Sequence, residues 1–238
     1  MKVVALIPAY NEESRLPATL EAVCSLEEVG EIVVVNDGSG DSTAEVVRTF
    51  QRRIPGRLQL VDLSSNQGKG AALEHGLAQA AGDVYLFLDA DLGTSARQAR
   101  ALLDPVLEGR ADMTVAAFTG GQSAEGKMGF GLVRRTAILG VRLLTGQQVT
   151  SPLSGQRAIR AELLRELGGL ARGFGVEVSL TVGALHHGFR VLEVPLPMRH
   201  RAHGRGLRGF WHRGRQMVHV LCALWHCWRK GWHRWSGI

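Results

Sequence analysis

The chain has 238 residues, a formal net charge of +6 at pH 7, 45% hydrophobic residues and 21% charged residues. This composition is typical of a globular protein with a substantial core, and it excludes a chain that is disordered over most of its length. Three cysteines without CxxC spacing, Cys24, Cys222 and Cys227, argue against a disulfide framework and a structural zinc site and favour a reducing cytoplasm.

Short β-branched runs alternate with helical patterns in the first half of the chain, which is typical of βαβ units. Runs at 3–7, 31–35, 58–63 and 84–88 predict strands, and apolar residues at helical spacing predict helices over 13–25, from 43 onward and over 70–81. Asp41 or Ser42 is expected to cap the second helix. The first apolar run is too short for a signal peptide. The sequence therefore predicts an α/β fold with a mostly parallel central sheet.

A polar loop follows each of the four predicted strands. The loops are Pro8-Ala9-Tyr10-Asn11-Glu12, Asn36-Asp37-Gly38-Ser39, Asn66-Gln67-Gly68-Lys69-Gly70 and Asp89-Ala90-Asp91. Ligands of open α/β sheets bind at the carboxyl ends of the strands, so we expect the loops to converge on one edge. For any single loop, Asn, Asp and Gly are also the ordinary residues of turns.

The last two loops indicate phosphate chemistry. Asp89 and Asp91 place two carboxylates at a strand exit, which suits Mg²⁺ or Mn²⁺ with substrate phosphates completing the coordination shell. Lys69 lies between two glycines at a helix N-terminus, where it can face a diphosphate.

In order and spacing, the four loops resemble the family 2 glycosyltransferases, which have the GT-A fold, a Rossmann-like sandwich. The resemblance covers residues 3–92, and 151–201 more loosely. It implies an inverting, metal-dependent hexosyltransferase that uses a nucleoside diphosphate sugar. It implies metal binding by Asp91, and nucleotide-sugar binding by Pro8, Ala9, Tyr10, Glu12, Asp37, Lys69, Asp89 and Ala90.

The segments 151–157 and 173–178 resemble acceptor-region segments of the same family. Relatives place an acidic residue near the reaction centre here, so Glu177 joins Asp89 and Asp91 as a candidate catalytic residue. A general base is needed only for a hydroxyl acceptor, because a phosphate is already ionised at neutral pH. Alternatively, Glu177 has only a structural role, in which its negative charge interacts favourably with the positive N-terminal end of the helix that begins there.

A basic cluster follows at 198–205. His200 is the candidate third metal ligand, because this segment resembles that of the glucosyl-3-phosphoglycerate synthases. Arg199, Arg201 and Arg205 can offset the charge of the leaving nucleoside diphosphate or bind an anionic acceptor. A solvated basic loop is the alternative.

The end of the chain is cationic and rich in tryptophan. After Glu193 there is no acidic residue, and 194–238 carries nine of the 28 Lys and Arg residues. We expect a catalytic domain at 1–205 and a basic amphipathic helix at 206–238 that suits a membrane interface. The apolar run of this helix, 217–228, is too short to span a bilayer. One stripe of this helix combines Trp211, Gly214, Val218, Leu221, Trp225, Trp228, Trp232 and Trp235.

Two other uses of that helix remain open, which are packing on the protein's own core and a contact between two copies in a homodimer. A second basic and apolar helical pattern covers 130–144. Nucleic-acid binding is not expected, because no groove-reading or stacking motif accompanies the charge.

Together these features predict a glycosyltransferase acting on polyprenyl phosphate or another membrane-associated amphiphile, peripheral on the inner face of the cell membrane. One alternative is a soluble synthase acting on a small phosphorylated acid such as 3-phosphoglycerate. Another is a nucleotide-sugar-binding module without catalysis. A nucleotidyltransferase is disfavoured, because the first strand is not followed by a glycine-rich triphosphate loop.

Overall fold

The computed structural model describes residues 1–118, 130–171, 175–197 and 207–232. A seven-stranded sheet with the order β3-β2-β1-β4-β6-β5-β7 forms its centre. The strands are β1 Val3–Ala9, β2 Val29–Asp37, β3 Leu58–Leu63, β4 Val84–Phe87, β5 Met113–Phe118, β6 Arg157–Arg160 and β7 Val191–Leu196. Within the described residues, β6 alone runs antiparallel to its neighbours, so the predicted mostly parallel sheet is confirmed.

Helices cover both faces of the sheet. They are α1 Leu16–Cys24, α2 Thr43–Arg53, α3 Lys69–Gln79, α4 Arg100–Leu107, α5 Phe130–Thr145, α6 Ala161–Leu167, α7 Val176–His186 and α8 Leu207–Arg229, with a 3₁₀ helix at Gly93–Ala99. At the start of α2, Asp41 accepts a hydrogen bond from the backbone N–H of Thr43 (3.0 Å), whereas the Ser42 side chain makes no cap bond. The prediction of a cap at Asp41 or Ser42 therefore holds for Asp41.

Successive side chains of a β-strand point to opposite faces of the sheet, so the core consists of two layers. In β1, Ala5 and Ile7 point to the layer that contains α1 and α4, and Val4 and Leu6 point to the layer that contains α3, α5 and α7. Because both faces are covered, the central strands are hydrophobic at nearly every position, as parallel strands usually are. This burial fixes the strand ends, and hence the loops that follow them.

The direction of β6 brings a further loop to the same edge of the sheet. β6 pairs with β4 in antiparallel register, with Phe87 opposite Arg157. The residues that precede Arg157 therefore lie beside the residues that follow Phe87. As a result, the loop at 151–156 approaches the turn that contains Asp89.

Helix α8 has two apolar faces. Val220, Ala223 and Cys227 are buried in the layer formed with α5 and α7. Gly140 leaves room for this packing, because a Cβ at that position would overlap the side chain of Leu224. Within the described residues, no helix combines the length and the hydropathy that a membrane crossing requires.

The outer face of α8 carries the middle of the predicted stripe, since Val218, Leu221, Trp225 and Trp228 are all exposed. The prediction is wrong for Trp232, which lies beyond the helix and is buried against Gly183. One face of α8 thus packs on the protein's own core while the tryptophan face is open.

We expect Gly38→Ala to lower the free energy of unfolding. Gly38 has φ +65°, and a Cβ there would lie 2.6 Å from Asn66 N, a backbone atom that cannot rotate away. The left-handed conformation alone costs a non-glycine residue about 1–2 kcal/mol. Urea denaturation measures the loss. The control is Gly40→Ala in the same loop, where a Cβ meets nothing within 4 Å, and equal stability of the two variants would contradict the expectation.

Candidate active site

The loops after β1 and β2 hold each other in place. The backbone N–H of Asn11 donates to Ser39 Oγ (2.9 Å), and Asn11 Oδ1 accepts from the N–H of Gly40 (2.9 Å). Asn11 adopts φ +56°, a conformation that asparagine tolerates better than most residues. The N–H of Glu12 donates to Thr43 Oγ1 (2.9 Å). These bonds place Tyr10 and Glu12 at the carboxyl edge of the sheet.

Asp37 connects the end of β2 to the loop after β3. Asp37 is only 3% exposed, and its two carboxylate oxygens accept hydrogen bonds from the backbone N–H groups of Gln67 (2.7 Å) and Gly68 (2.8 Å). Asp37 therefore fixes the chain immediately before Lys69. Its predicted contact with the nucleotide stays a prediction.

Thr19 fixes the turn that contains Asp89 and Asp91. Its hydroxyl donates to the carbonyl of Ala90 (2.8 Å) and accepts from the backbone N–H of Gly93 (2.8 Å). Ala90 is buried in the core layer beneath the site. The two flanking carboxylates are consequently held on a rigid turn rather than on a free loop.

Lys69 is the central cation of the site. As the first residue of α3, it places Nζ 2.6 Å from Asp89 Oδ1 and 2.9 Å from Glu177 Oε1. Burial acts to lower the pKa of Lys69, but the charges and hydrogen bonds of the two carboxylates outweigh it, and the pKa is raised above its usual value. The ammonium thus stays charged at neutral pH and joins β4 to α7.

Glu177 lies in the first turn of α7 and is 7% exposed. Its position agrees with the expected favourable place at a helix N-terminus. The ion pair with Lys69 brings it to the side of Asp89. The predicted role of Glu177 at the reaction centre stays a prediction.

Gly155 and Gln156 belong to the segment 151–157 that resembles an acceptor region, but neither was predicted as a site residue. Gln156 Nε2 donates to Asp89 Oδ2 (2.5 Å). A Cβ at Gly155 would overlap Lys69 Nζ and lie 2.9 Å from Asp89 Oδ2, so a larger residue would displace the ion pair. Both residues precede β6. A sequence pattern does not reveal that this strand is antiparallel, and the inspection of residues that follow strands misses them.

Beneath this loop lies Arg157, which is 0% exposed. Its guanidinium donates to the carbonyls of Ser154 (2.9 Å) and Pro152 (3.0 Å) and to Thr181 Oγ1 (2.9 Å). Burial lowers the pKa of Arg157 to about 10, against the opposing effect of Glu177, so the side chain stays charged at neutral pH. The hydroxyl of Thr181 in turn donates to the backbone carbonyl of Glu177 (2.9 Å).

The carboxylates of Asp89 and Asp91 are oxygen ligands of the kind that a divalent cation prefers. Asp91 lies on the same turn as Asp89, with its carboxylate 4.0 Å from Arg15 Nη1. In the part of the chain that the structure describes, no group of three or more His, Cys, Asp or Glu side chains forms a closed metal site. Mg²⁺ commonly uses one or two carboxylates together with substrate phosphates, which matches this arrangement.

Four predicted residues lie outside the described ranges. They are the candidate metal ligand His200 and the candidate phosphate or acceptor residues Arg199, Arg201 and Arg205. Their predicted roles stay predictions.

Comparison with known proteins identifies the family. The profile of Glycosyl transferase family 2 matches residues 4–168. Since this match covers more than half of the sequence, the chain belongs to glycosyl transferase family 2. The resemblance carried by the four polar loops is thereby confirmed.

Relatives with similar sequences are named for transfer to lipid phosphates. Identity is 44% over 98 residues with a dolichyl-phosphate beta-glucosyltransferase of Trichomonas vaginalis, covering 37% of this chain and 30% of that relative. An undecaprenyl-phosphate mannosyltransferase of Micrococcus luteus is 27% identical over 237 residues, an alignment that covers 94% of this chain and 96% of that relative. A polyprenol monophosphomannose synthase of Mycolicibacterium smegmatis is 29% identical over 212 residues, an alignment that covers 85% of this chain and 79% of that relative. The first alignment thus spans less than a third of its relative's length.

The fold is similar to that of glucosyl-3-phosphoglycerate synthase from Mycobacterium tuberculosis. A crystal structure of that enzyme with Mn²⁺, UDP and phosphoglyceric acid has a TM-score of 0.76 and 27% identity, covering 94% of this chain and 78% of the synthase. Another contains Mg²⁺ and UDP, with a TM-score of 0.74 and 25% identity. The predicted GT-A fold class is confirmed, and divalent metals accompany the nucleotide in these neighbours.

We expect Lys69→Met to destabilise the protein without any ligand present. The substitution leaves Asp89 and Glu177 side by side without their shared cation, and removing one partner of a buried ion pair typically costs about 3–5 kcal/mol. Urea denaturation in metal-free buffer gives the loss. Lys2→Met is the control, because its ion pair with Glu31 lies at the surface and contributes about 1 kcal/mol or less. Equal losses would contradict the central role of Lys69.

Proposed function

We propose that this protein is a divalent-metal-dependent glycosyltransferase that moves a hexose from a nucleoside diphosphate sugar to a polyprenyl phosphate. The observation that carries the proposal is the cluster of Lys69, Asp89 and Glu177 at the carboxyl edge of the sheet, in a member of glycosyl transferase family 2. This edge is where open α/β sheets bind their ligands. The cluster joins the turn proposed for the donor to the helix proposed for the acceptor.

The donor side uses the residues predicted from the four loops. Pro8, Ala9, Tyr10, Glu12 and Asp37 line or support the proposed nucleotide site, together with Asp89 and Ala90. Asp91 would hold Mg²⁺ or Mn²⁺, and His200 is proposed as a further ligand. When bound, the cation supplies positive charge beside the diphosphate and so favours departure of the nucleoside diphosphate.

The acceptor is proposed to be a polyprenyl phosphate because of the relatives that align along most of their length. This chain aligns with 96% of the length of the undecaprenyl-phosphate mannosyltransferase and with 79% of the length of the polyprenol monophosphomannose synthase. A phosphate acceptor arrives ionised and needs no general base. Glu177 would then orient Lys69, and the ammonium of Lys69 would offset anionic charge at the reaction centre.

A peripheral membrane contact is part of the proposal. Trp225 and Trp228 are each 57% exposed on α8, and Arg229 lies 4.8 Å from the centre of the Trp225 ring. The neighbouring helix α5 adds the exposed side chains of Leu132, Leu139 and Leu143. Indole rings favour the depth of lipid headgroups, and basic side chains are attracted to anionic lipids.

The charge of both helices supports an anionic lipid surface as the partner. The sequence contains no Asp or Glu from 126 to 161, and none after Glu193. Arg135 and Arg142 lie among the exposed leucines of α5. This combination of apolar and basic residues is typical of helices that lie in a membrane interface, here proposed to be the inner face of the cell membrane.

A second candidate function is transfer to a small phosphorylated acid. The similar synthase structure was crystallised with phosphoglyceric acid, which favours an acceptor of that class. Transfer to 3-phosphoglycerate but not to a polyprenyl phosphate would select this candidate. Binding of the donor without turnover of either acceptor would instead indicate a nucleotide-sugar-binding module.

We expect Asp91→Asn to abolish metal-dependent sugar transfer. The substitution removes a carboxylate charge from the proposed metal site, and a loss of at least about a hundredfold in kcat/KM is consistent with the several kcal/mol that a metal contributes at such a centre. Transfer from UDP-glucose and GDP-mannose is measured with Mn²⁺. Asp104→Asn in α4 is the matched control. Full activity of Asp91→Asn would contradict the proposed metal role.

We expect the double variant Trp225→Ala, Trp228→Ala to lose binding to anionic vesicles. Both rings are exposed, so their removal takes away interfacial contact area without opening the core. Flotation with vesicles of phosphatidylglycerol and phosphatidylcholine measures the loss, with Leu192→Ala on β7 as an exposed control. Unchanged flotation would refute the membrane face. A change in sedimentation from dimer to monomer in the double variant would assign this face to a homodimer instead.

A further inference from the structure

We propose that Gln156 is a positioning residue that fixes the Asp89 carboxylate for binding of the metal and nucleotide of the donor. This inference rests on the proposed function, because it assigns Gln156 to the same donor site. Gln156 is 1% exposed and lies in the loop that leads into β6. It therefore acts through Asp89 rather than by reaching into solvent.

The carboxylate of Asp89 is held from two sides. Lys69 Nζ lies 2.6 Å from Oδ1, and Gln156 Nε2 donates to Oδ2 over 2.5 Å. With both oxygens engaged, rotation of the carboxylate about its last bond would break two hydrogen bonds at once. Removing the amide takes away the hydrogen bond that holds Oδ2 on the side opposite Lys69.

The orientation of the Gln156 amide follows from its other partner. The Ser154 hydroxyl donates to Gln156 Oε1 (3.3 Å), and Asp89 accepts from Nε2. A flipped amide would direct its oxygen at a carboxylate, which offers no hydrogen to donate when ionised. The amide is thus fixed with its N–H group toward Asp89.

The main chain around Gln156 is itself immobilised. The carbonyl of Gln156 accepts from the N–H of Ala116 (3.0 Å), which pairs the residue with β5. Arg157 holds the carbonyls of Ser154 and Pro152 from below. At the start of the loop, the N–H of Ser151 donates to Glu193 Oε1 (2.6 Å). A side chain supported in this way can hold its neighbour to a defined geometry.

The neutral charge of Gln156 suits this task. Asp89 already shares the ammonium of Lys69, and a second cation at Oδ2 would compete directly with a metal ion for the same carboxylate. An amide fixes the oxygen by a hydrogen bond without adding positive charge. Partners of this kind, which hold a metal-binding carboxylate, typically contribute about 10–100-fold to metal affinity or activity.

The test measures nucleotide binding to the full-length protein by calorimetry, with UDP and with GDP, each in the presence of Mn²⁺. For Gln156→Met we expect an affinity about 10–100-fold lower. Gln98→Met in the 3₁₀ helix is the matched control, because Gln98 Oε1 is buried and has no hydrogen-bond partner among the described residues. This variant should bind nucleotide within twofold of the unsubstituted protein. Thermal melting shows whether each variant is folded.

A second variant keeps the inference testable should Gln156→Met fail to fold. Ser154→Ala removes the hydroxyl that orients the amide while retaining Gln156, and we expect an affinity about two- to tenfold lower, the value of one hydrogen bond. If the unsubstituted protein binds nucleotide and both folded variants bind equally well, the positioning role is overturned while the proposed function stands. If the unsubstituted protein binds neither nucleotide with Mn²⁺, the proposed function and this inference are both overturned.

Discussion

The candidate site depends on one ammonium group that two carboxylates share. Lys69 contacts Asp89, at the end of β4, and Glu177, in the first turn of α7. Two unit charges of the same sign about 4 Å apart repel by roughly 4 kcal/mol at an effective dielectric constant of 20. The ammonium of Lys69 adds two attractions that together outweigh this repulsion. It therefore holds a helix from the second half of the chain against a turn from the first half.

The shape of the sheet makes this arrangement possible. Parallel strands deliver the loops after β1 to β4 to one edge, and the antiparallel β6 delivers the residues before it to the same edge. Gly155 then leaves the space that Lys69 occupies. Arg157 supports the loop from the interior by donating to carbonyl and hydroxyl oxygens. The cost of burying its charge is thereby offset at the place where the loop must be rigid.

The meeting of the four polar loops at one edge could be predicted from the sequence, because each loop follows a parallel strand with a clear apolar pattern. Asp37, Lys69 and Asp89 indeed lie at one edge and are connected through the loop after β3. Gln156 could not be predicted in that way, since the direction of β6 is decided by pairing with strands that are distant in sequence. Helical periodicity indicated the exposed stripe of α8. It did not show that the opposite face, which contains Val220 and Ala223, is also apolar and packs in the core.

The two faces of α8 have a consequence for any attempt to remove the end of the chain. The inner face packs on α5 and α7, and its residues Val220 and Cys227 are buried there. A shortened protein would expose that apolar layer to water, so loss of lipid affinity after such a deletion would not by itself identify the tryptophans as the cause. Because Ala223 of α8 also packs against Gly175, directly before α7, the same deletion would remove support from the helix that places Glu177 beside Lys69.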